Sequence, residues 1–194
     1  MKIRKVQAWA VTMPLDEPYT IAYESVDTAV NIMLRLEAGR LVGSGCAAPD
    51  LPVTGETPED TLALLSGPVA DVLTGMDALR PAAALDRLKD LLEGKPSARA
   101  AVDMALWDLV GHAAGLPLWR LFGGYRTRLR TSVTIGILPE AETVERARDF
   151  LAQGFRCLKI KGGLNMEEDV ARILKVREAV GRQVALRFDA NQGY

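Results

Sequence analysis

The sequence predicts an α/β protein in which an antiparallel sheet and a group of helices precede a series of parallel strand–helix units. Three observations indicate this order: β-branched residues concentrate near the N-terminus, strong helix formers fill the middle, and from residue 129 onward strands alternate with amphipathic helices. At 194 residues and 48% hydrophobic, the chain is long enough to bury a substantial core as one large domain or two small ones.

The composition indicates which kinds of partner and which cellular compartment to expect. The 24 Lys and Arg residues balance the 25 Asp and Glu residues. A net charge of −1 indicates no excess of positive charge that would attract nucleic acid or an acidic membrane surface. We therefore expect a small-molecule substrate and neither a nucleic-acid nor a membrane partner. Cys46 and Cys157 fit no disulfide framework, and residues 1–15 lack a signal-peptide cleavage site, so we expect a cytoplasmic protein.

The first part of the chain is predicted to form an antiparallel sheet. Strands are expected at residues 3–12, 30–37 and 41–46, because these stretches are rich in β-branched residues and a short AGR turn separates the last two. Two long segments with several prolines and acidic residues, 16–25 and 46–56, are expected to be loops. Loops of this length often act as lids over functional sites.

Helices are predicted between the sheet and the alternating region. Thr57 and Pro58 precede a helix predicted over residues 59–73, and Pro81 begins a helix predicted over residues 81–92. Residues 97–114 are almost all good helix formers and are apolar on most faces, which indicates a central buried helix. A short further turn is expected over residues 117–122.

The region from residue 129 predicts parallel βαβ units. Strands are expected at residues 129–137, 157–162 and 184–189, and amphipathic helices that end near glycines at 141–153 and 166–180. The repeat of about 25 to 28 residues is typical of a parallel sheet with right-handed crossovers.

The segment CLKIKGG carries two lysines in an otherwise apolar strand. Because successive side chains of a strand point to opposite faces, Lys159 and Lys161 share one face. Burial and like-charge repulsion both lower the pKa of a lysine towards the range of a general base, so a buried pair would suit proton abstraction. The alternative is that both lysines lie in solvent on a half-exposed strand.

The strand RFDANQGY supplies a candidate metal ligand. Alternation places Arg187, Asp189 and Asn191 on one face, and Asp189 lies at the carboxyl end of its strand, as Lys161 does on the neighbouring one. Ligands bind at this end of parallel sheets. A carboxylate there is a suitable ligand for Mg²⁺, and a metal beside a lysine base suits abstraction of a proton alpha to a carboxylate. The alternative for Asp189 is a turn residue at the strand end.

Four stretches of sequence together resemble one known family. SARAAVDMALWDLVGHAAGLPLWRLFGG, TSVTIGI, GFRCLKIKGG and LRFDANQGY, in this order and spacing, are similar to the muconate-lactonizing group of the enolase superfamily, and within it to dipeptide epimerases of the L-Ala-D/L-Glu type. The resemblance covers essentially the whole chain. It implies an α+β capping domain over residues 1–124, followed over residues 125–194 by the first three βα units of a modified (β/α)₈ TIM barrel.

The resemblance also implies roles for individual residues. Lys161 corresponds to the base on one face of the substrate, and Lys159 helps it to lose its proton. Asp189 matches the first of three acidic Mg²⁺ ligands, and Thr134 and Asn191 match positions near the substrate. The implied reaction is Mg²⁺-dependent epimerisation or racemisation through an enolate intermediate, with a dipeptide as the expected substrate.

The segments 16–25 and 46–56 correspond to the family's specificity loops. Glu24 on the first and Val53 on the second are candidate substrate-binding residues. The acidic residues of the first segment predict a cationic substrate side chain. These acidic residues are Asp16, Glu17 and Glu24.

The resemblance leaves the completeness of the chain and the exact reaction open. A (β/α)₈ barrel needs more parallel strands than are predicted here, so we expect the chain to belong to a longer, homo-oligomeric protein or to be completed by another chain. The remaining metal ligands and the opposing lysine are expected outside it. Competing functions are a cycloisomerase, an o-succinylbenzoate synthase or an acid-sugar dehydratase of the same superfamily, and, in a different class, a non-catalytic α/β binding scaffold.

Overall fold

The structure, a computed structural model, describes residues 1–20 and 25–194. The chain divides into two compact units. Unit 1 consists of Met1–Met13 and Ala29–Tyr125, and unit 2 consists of Pro14–Thr28 and Arg126–Tyr194. The domain limits inferred from the sequence, 1–124 and 125–194, stay a prediction.

Unit 1 contains an antiparallel sheet and a group of helices. The sheet has the order β1-β2-β3, and its strands are β1 (Ile3–Thr20), β2 (Ser25–Ala38) and β3 (Leu41–Ala47), of which β1 and β2 extend into unit 2. β2 and β3 pair in antiparallel register from Ile32 with Ala47 to Ala38 with Leu41. The helices are α1 (Leu51–Thr54), α2 (Pro58–Ser66), α3 (Pro68–Leu73), α4 (Pro81–Arg87), α5 (Pro96–Ala114) and α6 (Leu118–Leu121).

The strands predicted in the first part of the chain are present, but the first two are longer than expected. The prediction of a loop over residues 16–25 is wrong for residues 16–20 and for Ser25, which lie in β1 and β2. Residues 21–24 lie outside the described residues. Pro14 and Pro18 suggested a loop, but β1 is at the edge of its sheet, where a residue without an N–H group is tolerated.

The central helix predicted over residues 97–114 is confirmed as α5, and other helix predictions are corrected. The helix expected over 59–73 is two helices, α2 and α3, because Pro68 has no N–H group to continue the helical hydrogen bonds. The helix expected over 81–92 ends at Arg87. The segment 46–56, expected to be a loop, contains α1.

β3 lies directly against α5 because two of its residues have no side chain. A Cβ atom on Gly43 would lie 2.2 Å from the carbonyl oxygen of Ala105, and one on Gly45 would lie 1.9 Å from the carbonyl oxygen of Ala101. A Cβ atom added to either glycine would project to the same side of the strand, and the two alanines are one helical turn apart. The strand therefore packs along the helix backbone, and the buried face of α5, including Leu106, joins the core of unit 1.

Glu56 caps the N-terminus of α5 from a distant part of the chain. Its side chain is buried, and its carboxylate oxygens accept hydrogen bonds from the N–H groups of Ser97 at 2.6 Å and Ala98 at 3.0 Å. A carboxylate at this position satisfies amide groups that have no partner within the helix and interacts favourably with the helix dipole. Glu56 therefore anchors the segment that precedes α2 to the central helix.

Replacement of Glu56 by glutamine is expected to lower the free energy of unfolding by about 2 kcal/mol, because a neutral amide loses the charge-assisted bonds and places its NH₂ group against buried donors. Urea unfolding checks this value. The matched control is Glu93→Gln, an exposed carboxylate, which should change stability by less than about 0.5 kcal/mol. Equal effects of the two substitutions would contradict the capping role.

Unit 2 contains the predicted parallel βαβ arrangement. Its elements are β4 (Val133–Ile135), α7 (Glu140–Ala152), β5 (Cys157–Lys161), α8 (Met166–Val180) and β6 (Ala185–Asp189), and the strand order β4-β5-β6 is parallel throughout. β4 is shorter than the strand predicted over 129–137. The buried core of unit 2 includes Ile135, Leu158, Ile160 and Val176. In residues 1–20 and 25–194, each helix is too short or too polar to cross a membrane.

Candidate active site

The parallel pairing brings the carboxyl ends of three strands to one edge of the sheet in unit 2. In the register, Thr134 lies beside Lys159, and Lys161 lies beside Asp189. Residues in register on adjacent strands project to the same face. The site residues that were predicted on three separate strands therefore lie on one surface.

The two lysine amines share one carboxylate oxygen. Asp189 Oδ2 lies 2.6 Å from Lys159 Nζ and 3.0 Å from Lys161 Nζ. Hydrogen bonds from Lys159, the larger effect, and from Lys161 hold the pKa of the Asp189 carboxyl well below its usual range. The carboxylate offsets the repulsion between the two ammonium groups, and this explains how the strand tolerates them on one face.

The two lysines differ in exposure. The side chain of Lys161 is 10% exposed, whereas that of Lys159 is 34% exposed. The alternative in which both lysines lie in bulk solvent is therefore wrong for Lys161. An amine enclosed in this way is the better candidate for direct proton transfer, and Lys159 is the better candidate for an electrostatic role.

Asn191 reaches the site through a turn, not through strand alternation. β6 ends at Asp189, and Asn191 adopts a left-handed backbone conformation with φ of 47°. Its N–H donates to Asp189 Oδ1 at 3.0 Å, and its side-chain oxygen accepts a hydrogen bond from Lys161 Nζ at 2.6 Å. Asn and Asp are the residues that most readily adopt this conformation after Gly. Lys161 is thus held by one oxygen acceptor at the end of β6 and a second in the turn that follows it.

A cavity of about 730 Å³ lies beside the lysine pair within unit 2. This volume falls in the range of small-molecule sites, roughly 300–1,000 Å³. Its lining includes Asp16, Thr134, Arg146, Phe150, Lys159 and Lys161. The candidate substrate-binding residue Thr134 therefore borders the same space as both lysines, and Asp16 adds a carboxylate to it.

Two predicted substrate-binding residues do not belong to the described residues of unit 2. Val53 lies on α1 in unit 1, with its side chain 60% exposed, and its assignment stays a prediction. Glu24, like the side chain of Glu17, lies outside the part of the chain that the structure describes.

The donor atoms at the strand ends suit Mg²⁺ in kind but not in number. Asp189 provides a carboxylate, the oxygen ligand that this hard cation prefers. Among residues 1–20 and 25–194, however, no group of three or more His, Cys, Asp or Glu side chains is arranged to hold a metal ion. The described residues therefore do not form a Mg²⁺ site by themselves.

Unit 2 also contains a buried ion pair on α8 that was not predicted from the sequence. Asp169 and Arg172, on the first turns of α8, are 3% and 5% exposed. Burial raises the pKa of Asp169, but hydrogen bonds from the Tyr194 hydroxyl, the Gly163 N–H and Arg172 outweigh burial and lower it overall. The hydrogen bond to Asp169 raises the pKa of Tyr194. The i, i+3 spacing of opposite charges was visible in the sequence, but their burial was not.

The fold and the arrangement of polar residues define the class of protein. An antiparallel sheet with helices, followed by parallel strands with a lysine pair and an acidic residue at their carboxyl ends, is the arrangement that the resemblance drawn from the sequence implies. Residues 3–123 match the family described as mandelate racemase / muconate lactonizing enzyme, N-terminal domain, and residues 142–194 match the enolase C-terminal domain-like family. The chain belongs to the mandelate racemase / muconate lactonizing enzyme family, which confirms the resemblance drawn from the sequence.

Several similar proteins are dipeptide epimerases. The L-Lys-D/L-Arg epimerase of Desulforapulum autotrophicum is 43% identical over 195 residues, covering 100% of this chain and 55% of the relative. A substrate-liganded L-Ala-D/L-Glu epimerase from Bacillus subtilis has a TM-score of 0.95 at 37% identity, covering 100% of this chain and 55% of that one. A dipeptide epimerase from Methylococcus capsulatus, complexed with Mg and L-Arg-D-Lys, has a TM-score of 0.91 at 39% identity with the same coverage. The chain spans about half the length of these relatives.

Proposed function

We propose that the complete protein to which this chain belongs is a dipeptide epimerase that removes the proton alpha to a carboxylate, with Lys161 as the base on one face of the substrate. The observation that carries the proposal is the enclosed Lys161 amine at a strand end, held by Asp189 and Asn191 with Lys159 on the same carboxylate. The epimerase activities of similar proteins support the reaction class.

The chain's own residues supply the first half of the reaction. After the Lys161 ammonium has given up its proton, the free amine accepts the alpha proton, and the electron pair of the C–H bond moves onto the substrate carboxylate to form an enolate. Asp189 and Asn191 hold the amine in one orientation, so that it meets the substrate carbon from a defined side. Return of a proton to the opposite face completes the inversion, and the group that delivers it is proposed to lie outside this chain.

Mg²⁺ is the proposed cofactor of the complete protein. Bound metal stabilises negative charge on substrate oxygens, and Asp189 is the ligand that this chain would supply. The proposal is supported by the carboxylate chemistry of Asp189 and by Mg in the complex of the Methylococcus capsulatus protein. Among residues 1–20 and 25–194, no three acidic side chains converge on one point. The other ligands would therefore have to come from outside the described residues.

The substrate class that we propose is a dipeptide with cationic side chains. Asp16 is a carboxylate in the lining of the cavity, whose other charged lining residues are Arg146, Lys159 and Lys161, and we assign it to the cationic side chain of the substrate. The names of similar proteins support this choice, because two relatives at 43% and 40% identity are L-Lys-D/L-Arg epimerases. The binding-scaffold alternative is disfavoured, because it requires both lysine amines to be open to solvent and distant from Asp189.

The location and assembly of the complete protein remain proposals. The cysteines Cys46 and Cys157 are both free, which supports a reducing compartment such as the cytoplasm. A homo-oligomeric state stays a prediction from the sequence.

The substrate proposal is tested by proton exchange in deuterated water. The complete protein with Mg²⁺ is expected to exchange the alpha proton of L-Lys-L-Arg more efficiently than that of L-Ala-L-Glu, as measured by NMR. Asp16→Asn should raise KM for L-Lys-L-Arg by up to roughly fivefold, the upper end of the effect of losing one exposed charge pair, and should leave L-Ala-L-Glu unaffected. Asp27→Asn, which changes an exposed carboxylate on β2, is the control. Equal loss for both dipeptides would contradict the role of Asp16.

A further inference from the structure

We propose that Asp169 and Arg172 are positioning residues, which hold the Lys161 amine in position by linking the ends of the three strands of unit 2 through hydrogen bonds. The inference rests on the proposed function, because it assigns the pair to the reaction of the same site. Neither residue is expected to touch the substrate, because their hydrogen bonds are made to backbone groups near the strand ends and to the Tyr194 hydroxyl.

Arg172 joins two strand ends. One terminal nitrogen of its guanidinium donates to the carbonyl oxygen of Leu138, which follows β4, at 3.1 Å, and the other donates to the carbonyl oxygen of Lys161 at 3.2 Å. The second nitrogen also contacts Asp169. A planar guanidinium makes these bonds in fixed directions, so the backbone of Lys161 is held at a set distance from the end of the neighbouring strand.

Asp169 joins the segments that follow β5 and β6. Its Oδ2 accepts a hydrogen bond from the Gly163 N–H at 2.7 Å and another from the Tyr194 hydroxyl. Gly163 lies two residues after Lys161, and Tyr194 lies three residues after Asn191. One carboxylate thus connects the turn beyond the candidate base to the turn that carries its oxygen acceptor.

The backbone around this ion pair is fitted closely to it. A Cβ atom on Gly162 would lie 2.4 Å from Asp169 Oδ2, and one on Gly193 would lie 2.1 Å from the carbonyl oxygen of Gly163. Residues with side chains at these two positions would push the turns apart. The glycines therefore allow the segments after β5 and β6 to approach the carboxylate and each other directly.

The burial of this ion pair supports a role in positioning the backbone around Lys161. Removing two charges from water is costly, and buried ion pairs are often no more stabilising than apolar residues of the same size. The bonds of this pair converge on the backbone of Lys161 and of its neighbours, not on a distant part of the core. A shift of about 1 Å in a reacting group can lower a rate roughly 100-fold, so these bonds bear directly on proton transfer.

The experiment compares two arginines of α8 in the complete protein, with alpha-proton exchange of L-Lys-L-Arg as the assay. Arg172→Gln is expected to lower kcat about 100-fold with KM changed by less than about threefold. Arg172→Lys keeps the charge and one hydrogen bond, and should recover part of kcat. The matched control is Arg177→Gln, which loses hydrogen bonds to the carbonyl oxygens of Gly181 and Val184, before the start of β6, and should leave kcat unchanged.

The possible outcomes separate this inference from the proposed function. A kcat that falls equally in Arg172→Gln and Arg177→Gln, in proportion to lost thermal stability, would show a merely structural role and overturn the inference. If Arg172→Gln does not fold, Arg172→Lys decides, and wild-type kcat in this variant would overturn it. A wild-type protein that exchanges no dipeptide proton would contradict the proposed function itself.

Discussion

Replacement of Lys161 by alanine is expected to lower the rate of alpha-proton exchange by about 10³-fold, within the range of about 10²–10⁴ that positioned general bases contribute. The reason is geometric: the Lys161 amine is the more enclosed of the pair and is oriented by Asp189 and Asn191. The loss should appear in kcat for every dipeptide that the protein accepts, measured by NMR in deuterated water.

The Lys161→Ala protein is expected to remain folded. Asp189 keeps a partner in Lys159, whose amine lies 2.6 Å away, so the substitution leaves no carboxylate without a counter-charge. The matched control is Lys175→Ala on α8, which removes an exposed lysine that pairs with Glu178 and should leave the rate unchanged. Exchange at the wild-type rate in Lys161→Ala would refute the role given to this lysine.

Replacement of Gly45 by alanine is expected to destabilise unit 1 by about 3 kcal/mol, at the upper end of overpacking effects. The added Cβ would lie 1.9 Å from the carbonyl oxygen of Ala101, so it clashes with the backbone of α5 and no flexible side chain can move to relieve the clash. β3 or α5 must shift, and the buried contacts between them weaken. Urea unfolding of the complete protein, with a probe in unit 1, measures the effect.

The control for Gly45 is its neighbour on β3. Ser44 is exposed, points to the other side of the strand, and keeps its backbone hydrogen bond to Asp108 when its side chain is shortened. Ser44→Ala is expected to change stability by less than about 0.5 kcal/mol. A Gly45→Ala protein as stable as Ser44→Ala would mean that strand and helix are not packed as closely as described.

The candidate site was predictable where it depended on local pattern. Alternation in the strand of Lys159 and Lys161 put both lysines on one face, and the position of Asp189 at a strand end indicated a ligand site. Strand alternation did not predict how Asn191 reaches the site, because alternation does not continue through a left-handed turn. Local pattern also failed for Arg172, since helical spacing shows that two charges are neighbours but not that the pair is buried.

The sequence by itself determined the order and type of most elements, including the central helix α5 and the parallel βαβ units, because helix and strand patterns are set by residues close together along the chain. Only the tertiary structure decided that Glu56 caps α5, that Gly43 and Gly45 admit a helix against their strand, and that Lys161 lies between Asp189 and Asn191. These contacts join residues that are distant in sequence, and they depend on packing distances that periodicity and composition do not contain.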